Sequence, residues 1–214
     1  MFLNQEERIG RFTASSISDL MYDKAPTEAY YTVCMEKAYE RLGITAPPTF
    51  EGDAIVHGNE NESMAIMFFE IEKEVIVDKN GAESDFIKFQ DFAGCTPDGL
   101  VKEDKGVEVK CPYNPAIFLK QSVLKSQDDL KKMGTTGKKY YWQCQSSLLF
   151  TQRELWYFVS FHPEFYQKHK YLGVLEILPN KDDHDLLLHR LYEANAYTNS
   201  IVEMIGNKSK VLST

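Results

Sequence analysis

The sequence predicts an α/β chain, and three observations carry that reading. Helix-type signals run from residue 13 to residue 73, a series of short β-type runs follows to residue 111, and helix and strand signals then alternate to the C-terminus. Residues 1 to 12 read as an irregular arm. A helix opens at "TASSISDLM", where Thr13, Ser15 or Ser16 can cap its first amides. "PTEAYYTVCMEKAYERLG" is a second helix, with Pro26 suited to its first turn and Gly43 as its stop. "ITAPPTF" is a loop, and a long, largely buried helix covers residues 52 to 73.

The runs "EVIVD", "FIKFQ", "FAGCT" and "GVEVK", parted by turn residues such as "DKNGAES" and "EDKG", form one meandering sheet on this reading. Helical spacing resumes at "AIFLKQSVL". "KSQDDLKKMGTTGKKYY" is rich in lysine and carries two glycines, and reads as a mobile basic loop over residues 125 to 139. "YYWQCQSSLLF" is a helix, "ELWYFVSF" and "YLGVLEIL" are strands, and residues 182 to 205 close the chain as an amphipathic helix. The expected organisation is one domain over residues 1–214: N-terminal helices 13–73, a sheet over 75–111, the basic loop, and C-terminal strands and helix over 154–206.

With 43% apolar residues the chain can bury a core without covalent staples, so Cys34, Cys95, Cys111 and Cys144 are expected as reduced core thiols. They form no CxxC pair, which argues against structural zinc. No apolar run approaches the roughly 20 residues that span a bilayer, and no secretory signal is expected in the N-terminal stretch, so a cytoplasmic location follows as an expectation. Thirty-two acidic against 24 basic residues give a net charge of −8, so any site for a polyanion must be local.

The stretch "CTPDGLVKEDKGVEVKCP" poses the chemical question. If "GVEVK" is a strand, Glu108 and Lys110 share one face while Val107 and Val109 enter the core on the other, and Asp98 on the neighbouring run can converge on them. Two carboxylates about 4 Å apart repel by roughly 4 kcal/mol at an effective dielectric near 20. A divalent cation offsets this best, and oxygen-only ligands select Mg²⁺ or Mn²⁺. A nearby lysine can then hold or deprotonate an attacking water. The bland reading is a surface hairpin with an ordinary Glu/Lys contact.

Together with further motifs, this stretch resembles the PD-(D/E)xK nucleases, and within them the phage lambda exonuclease and YqaJ-type viral recombinase nucleases. The motifs, in order, are "RIGRFTAS", "HGNENE", "CTPDG", "VEVKCP", "YYWQCQ" and "LWYFVSFHP". The resemblance implies a mixed central sheet flanked by helices. It implies that Asp98, Glu108 and the Val109 carbonyl ligate Mg²⁺, with Mn²⁺ as a possible substitute, and that Lys110 positions the water. Glu62 would face the metal, with Glu60 as the alternative if the register slips by two. Arg8, Ser15 and Thr96 would hold a terminal 5′-phosphate, with Arg11 competing for that role and simple helix capping as the bland alternative for Ser15. Tyr140 and Gln143 would lie beside the active site, with Gln145 beyond. His57 stands where the family often has tryptophan.

The function so implied is Mg²⁺-dependent 5′-to-3′ digestion of one strand from double-stranded DNA ends, leaving a 3′ overhang for phage-type recombination. A ring-shaped homotrimer and a phage single-strand annealing protein as partner are implied in the same way. Two other readings stay open at this point: another PD-(D/E)xK endonuclease or RecB-type nuclease, and a non-catalytic scaffold that binds DNA ends.

Overall fold

The computed structural model describes residues 5–45, 52–80 and 85–212. A short helix α1 (Gln5–Arg8) leads into β1 (Phe12–Thr13), a 3-10 turn (Ala14–Ser16) and α2 (Ile17–Leu20). Helices α3 (Glu28–Arg41) and α4 (Asp53–Lys73) follow. Then come β2 (Lys79–Asn80), β3 (Ile87–Phe89), β4 (Ala93–Cys95), β5 (Gly99–Val101) and β6 (Lys105–Lys110). The remainder is α5 (Pro115–Ser122), α6 (Gln127–Lys132), α7 (Gly134–Thr151), β7 (Leu155–Ser160), α8 (Pro163–His169), β8 (Gly173–Ile177) and α9 (Lys181–Leu212).

The strands form two sheets where the sequence predicts one. A five-stranded mixed sheet runs β2-β5-β6-β7-β8, and a three-stranded sheet runs β1-β4-β3. The split falls between β4 and β5, at Thr96 and Pro97. Proline has no N–H to continue a ladder, so "FAGCT" pairs with the arm strand β1 while the chain crosses to begin β5. The predicted strand "EVIVD" is not one. Glu74 closes α4 in the left-handed region at φ 52°, and Val77 donates its N–H to the Glu70 carboxylate at 2.7 Å instead of to a neighbouring strand. The loop expected at "ITAPPTF" and the turn at "DKNGAES" lie largely outside the described residues.

The basic stretch 125–139 is helical. Ser126 and Asp129 form a reciprocal capping box: the Ser126 hydroxyl accepts the Asp129 N–H at 3.2 Å, and the Asp129 carboxylate accepts the Ser126 N–H at 3.0 Å. This box starts α6. Gly137 serves packing, since a Cβ there would stand 2.4 Å from the Leu130 carbonyl oxygen where α6 and α7 cross. Pro26 also differs from expectation, lying just before Thr27, whose hydroxyl caps α3 by accepting the Tyr30 N–H at 3.3 Å.

Parallel pairing of β6 with β7 requires a long crossover, which α5, α6 and α7 supply. The main sheet is covered on both faces. Val107, Val109, Tyr157 and Val159 pack with Ala65, Ile66 and Phe69 of α4 in one core. Trp156, Phe158, Leu175 and Ile177 pack with residues of α2, α3, α7 and α9 in the other. All four cysteines are free and buried, as expected.

Candidate active site

The C-terminal end of β6 gathers the charges. β5 and β6 pair antiparallel with Gly99 opposite Val107, which sets Asp98 level with Glu108. Asp98 Oδ2 accepts the Val109 N–H at 2.7 Å, so the backbone of β6 holds the carboxylate in place. Lys110 Nζ donates to Glu108 Oε1, the contact expected for same-face residues two apart on a strand. The predicted alternation holds, but α7 roofs the polar face, and Glu108 is 1% exposed. The surface-hairpin reading is therefore excluded. Tyr140 of α7 places its ring 5.3 Å from Lys110 Nζ, a cation–π contact.

Glu62 of α4 completes the charged group, since it interacts electrostatically with Asp98, Lys110 and Glu108. It is half-buried while Glu60 is exposed, so of the two it is Glu62 that lies toward the charged group. Burial, then repulsion from Asp98, pushes the Glu62 carboxyl up to about 7 against attraction by Lys110. The same two causes push Glu108 up to about 8. Asp98 is raised by burial against the pull of Lys110 and its Val109 hydrogen bond. Burial disfavours the Lys110 charge, but Glu108 and Asp98 outweigh it and hold the ammonium above its ordinary range.

Three carboxylates thus share one ammonium, and all three resist ionisation. An oxygen-only set in that state fits a hard divalent cation, which would relieve the repulsion that Lys110 alone leaves. The fit lies in donor chemistry, because among the described residues no three His, Cys, Asp or Glu side chains stand as a preformed cage.

The second predicted cluster lies on the small sheet. Parallel pairing of Thr13 with Gly94 lays the 3-10 turn beside Cys95 and Thr96. Ser16, by its hydroxyl, ties to the Thr13 N–H at 3.2 Å and carbonyl at 2.9 Å, which leaves Ser15 out of the capping role; its hydroxyl meets that of Thr13 at 3.0 Å. Ser15 also lines a cavity of about 530 Å³ with Lys139. Burial lowers the Arg8 guanidinium while the neighbouring Cys95 opposes the shift, which places Arg8 beside the residue preceding Thr96. Thr96 Oγ1 is buried with no hydrogen-bond partner.

Other candidates go elsewhere. Gln145 is a structural bridge to the β8–α9 junction, donating to the Leu178 carbonyl at 2.9 Å and accepting the Asn180 N–H at 3.2 Å. Gln143 lies three residues beyond Tyr140 on α7 and so shares its face. Arg11 donates to the Glu7 carbonyl at 2.6 Å and lines a separate cavity with Arg41. His57 packs its ring 6.0 Å from that of His162, a buried residue that stands in the motif "LWYFVSFHP" but to which the sequence alone assigns no role.

A family model for the YqaJ-like viral recombinase domain matches residues 4–154, which include every element of both clusters. The chain belongs to this family. Among solved structures, the YqaJ-like chain is similar to the alkaline exonuclease LHK-Exo from Laribacter hongkongensis, with TM-score 0.77, 23% identity and 97% of each chain covered. The complex of LHK-Exo with dAMP is similar at TM-score 0.77 and 24% identity, with 96% of each chain covered. A phage related exonuclease from Haemophilus somnus 129PT is similar at TM-score 0.71 and 15% identity, covering 91% of this chain and 96% of that one. At these identities the likeness is one of fold, a mixed sheet flanked by helices. Comparison with curated proteins finds no match.

Proposed function

We propose that the protein is a divalent-metal-dependent exonuclease that digests one strand of duplex DNA from the 5′ end and leaves a 3′ overhang for recombination. One observation carries the reading: Asp98, Glu62, Glu108 and Lys110 converge at one end of β6 in a member of a viral recombinase family. The names of the structural neighbours, an alkaline exonuclease and a phage related exonuclease, support it.

Asp98, Glu108 and the Val109 carbonyl would hold Mg²⁺, or Mn²⁺ in its place, with Glu62 as a further carboxylate facing it. A bound divalent cation would supply charge stabilisation at the scissile phosphate and acidify water. Lys110 orients the attacking water and offers an ammonium to the developing negative charge. Water gives up a proton to solvent as its oxygen bonds to phosphorus, the bond from phosphorus to the 3′-oxygen breaks, and that oxygen takes a proton from solvent. Tyr140 keeps the Lys110 side chain on the site by its ring face, and Gln143 lies within the same helix face. Arg8, Ser15 and Thr96 would grip the terminal 5′-phosphate, and the unpaired Thr96 hydroxyl is a donor suited to that task. Family resemblance extends the proposal to a ring-shaped homotrimer, a phage annealing protein as partner and a cytoplasmic setting. Among the described residues no helix is long and apolar enough to cross a membrane.

The test is digestion of linear duplexes with 5′-phosphate or 5′-hydroxyl ends, and of circular duplex, in Mg²⁺ or EDTA. The wild type should release mononucleotides from linear DNA only, faster from phosphate ends and only with metal. Lys110→Ala should lower the rate by about 10²-fold or more. End binding without hydrolysis under any metal would leave a scaffold reading in its place, and cutting of the circle would indicate an endonuclease.

A further inference from the structure

A cavity of about 480 Å³ lies between the N-terminal arm, α3 and α9, outside the charged end of β6, and Gly10, Arg11, Arg41, Asp91, Asn195 and Asn199 contribute to its lining. We propose that it is a second phosphate site, which takes a phosphate monoester of mononucleotide size between the Arg11 and Arg41 guanidiniums.

The site is built by the sequence around Gly10. Its φ of +72° turns the arm through a region that favours glycine, and a Cβ there would stand 2.8 Å from Arg41 Cγ. Glycine therefore lets the Arg41 side chain lie across the arm, where Nε donates to the Gly10 carbonyl at 2.8 Å and Nη1 to Asn199 Oδ1 at 2.7 Å. The Gly10 N–H donates to Glu40 at 2.7 Å, which fixes the arm from the other side. Arg41 is held but not saturated, because its Nη2 is buried without a partner, as is Nε of Arg11.

Charge balance selects an anion. Among the described residues neither guanidinium forms an ion pair. Nearby acids already have cationic partners: Glu40 pairs with Lys37 at 3.0 Å, so its attraction for Arg41 is shared, and Glu7 pairs with Lys88 at 2.8 Å. Asp91, exposed, is the one carboxylate in the lining, against two guanidiniums. The two like charges are close enough that Arg11 counts among the causes lowering Arg41, after burial, while Cys34 and Glu40 oppose the shift. A water could satisfy an orphan donor but would leave this repulsion in place; a phosphate between two guanidinium forks answers both.

The ligand's class follows from the other wall. Asn195 Oδ1 is a buried acceptor without a partner. It asks for a donor on the ligand, which a sugar hydroxyl or a singly protonated phosphate supplies and a continuous phosphodiester backbone does not. The volume suits a small molecule of that kind. The inference rests on this cavity alone and is independent of catalysis at β6.

The experiment is calorimetric titration of the full chain with dAMP, inorganic phosphate and deoxyadenosine, in an Arg8→Gln background that silences the proposed 5′-phosphate pocket. We expect dAMP and phosphate to bind, dAMP the more tightly, and deoxyadenosine not to bind. Adding Asn195→Asp, nearly isosteric, places a competing carboxylate beside the guanidiniums and should weaken dAMP at least tenfold; Arg11→Gln should do the same. Thermal unfolding without ligand should stay unchanged or rise for Asn195→Asp, which separates lost binding from lost fold. No dAMP binding to Arg8→Gln, or equal binding with and without Asn195→Asp, would overturn the proposal. Binding confined to a duplex with 5′-hydroxyl ends would overturn the monoester assignment in favour of a backbone contact.

Discussion

Two of the lysine–carboxylate pairs in this protein, Lys131 with Asp183 and Lys110 with Glu108, have surroundings that differ. Lys131 gives Asp183 contacts of 2.9 and 2.6 Å, one to each oxygen, and the Tyr141 hydroxyl donates to the same carboxylate at 2.5 Å. Asp183 sits in the first turn of α9, where the helix dipole favours a negative charge, and the Lys131 ammonium rests 4.8 Å from the Tyr141 ring centroid. One charge is matched by one charge, and three helices are joined. At the end of β6, Lys110 is asked to neutralise Glu108, Asp98 and Glu62 at once. A balanced, partly buried pair holds a fold together; an unbalanced one stores an electrostatic demand that a metal and a phosphate can meet.

The largest effect that tests this contrast is catalytic. Glu108→Gln should cost about 10³-fold in nuclease rate while the thermal midpoint without metal changes little, because a raised carboxyl is already partly neutral in the folded state. A comparable loss of stability and activity would make the two pairs alike. Asp183→Ala should do the reverse: removing the partner of Lys131 and Tyr141 should destabilise by about 2 kcal/mol, less than a fully buried pair because Lys131 is 34% exposed. Denaturant titration measures the loss, and the rate of the folded fraction should stay at the wild-type value.

A smaller effect is a pH dependence of stability. Glu62 and Glu108 release protons near 7 and 8 in the folded chain but near 4.5 when unfolded, so the native state holds those protons more tightly between these values. Stability of the metal-free protein should therefore fall as pH rises from about 5 to about 8. Lys110 adds nothing in this window, since its raised value keeps it charged throughout. Scanning calorimetry across the range should show the fall, and MgCl₂ should remove more of it than NaCl at equal ionic strength; a midpoint that rises instead would contradict the charge imbalance. The smallest expected effect is at Tyr140. Tyr140→Phe keeps the ring face over Lys110 and should leave the rate nearly unchanged, while Tyr140→Leu should cost several-fold, in line with a contact of about 1 kcal/mol.

The central chemistry was legible because it is local. Asp98, Glu108 and Lys110 lie within 13 consecutive positions, and strand alternation plus one hairpin register suffices to bring them together. Glu62 came from a helix motif, and its choice over Glu60 needed only the burial of one face of α4. The basic stretch misled because its glycines suggested mobility, although Ser126 and Asp129 spelled a capping box in plain view.

By itself the sequence determined the α/β class, the long helix, the meeting of Asp98, Glu108 and Lys110, and the two strands that close the sheet, all features set by short-range periodicity and turn chemistry. Only the tertiary structure decided that the strands split into two sheets at Pro97, that Lys131 is locked to Asp183 across 52 positions, and that Arg11 faces Arg41 and Asn195 instead of joining Arg8. Those outcomes depend on which distant segments fill the same space, and no local pattern of residues encodes a partner that packing supplies.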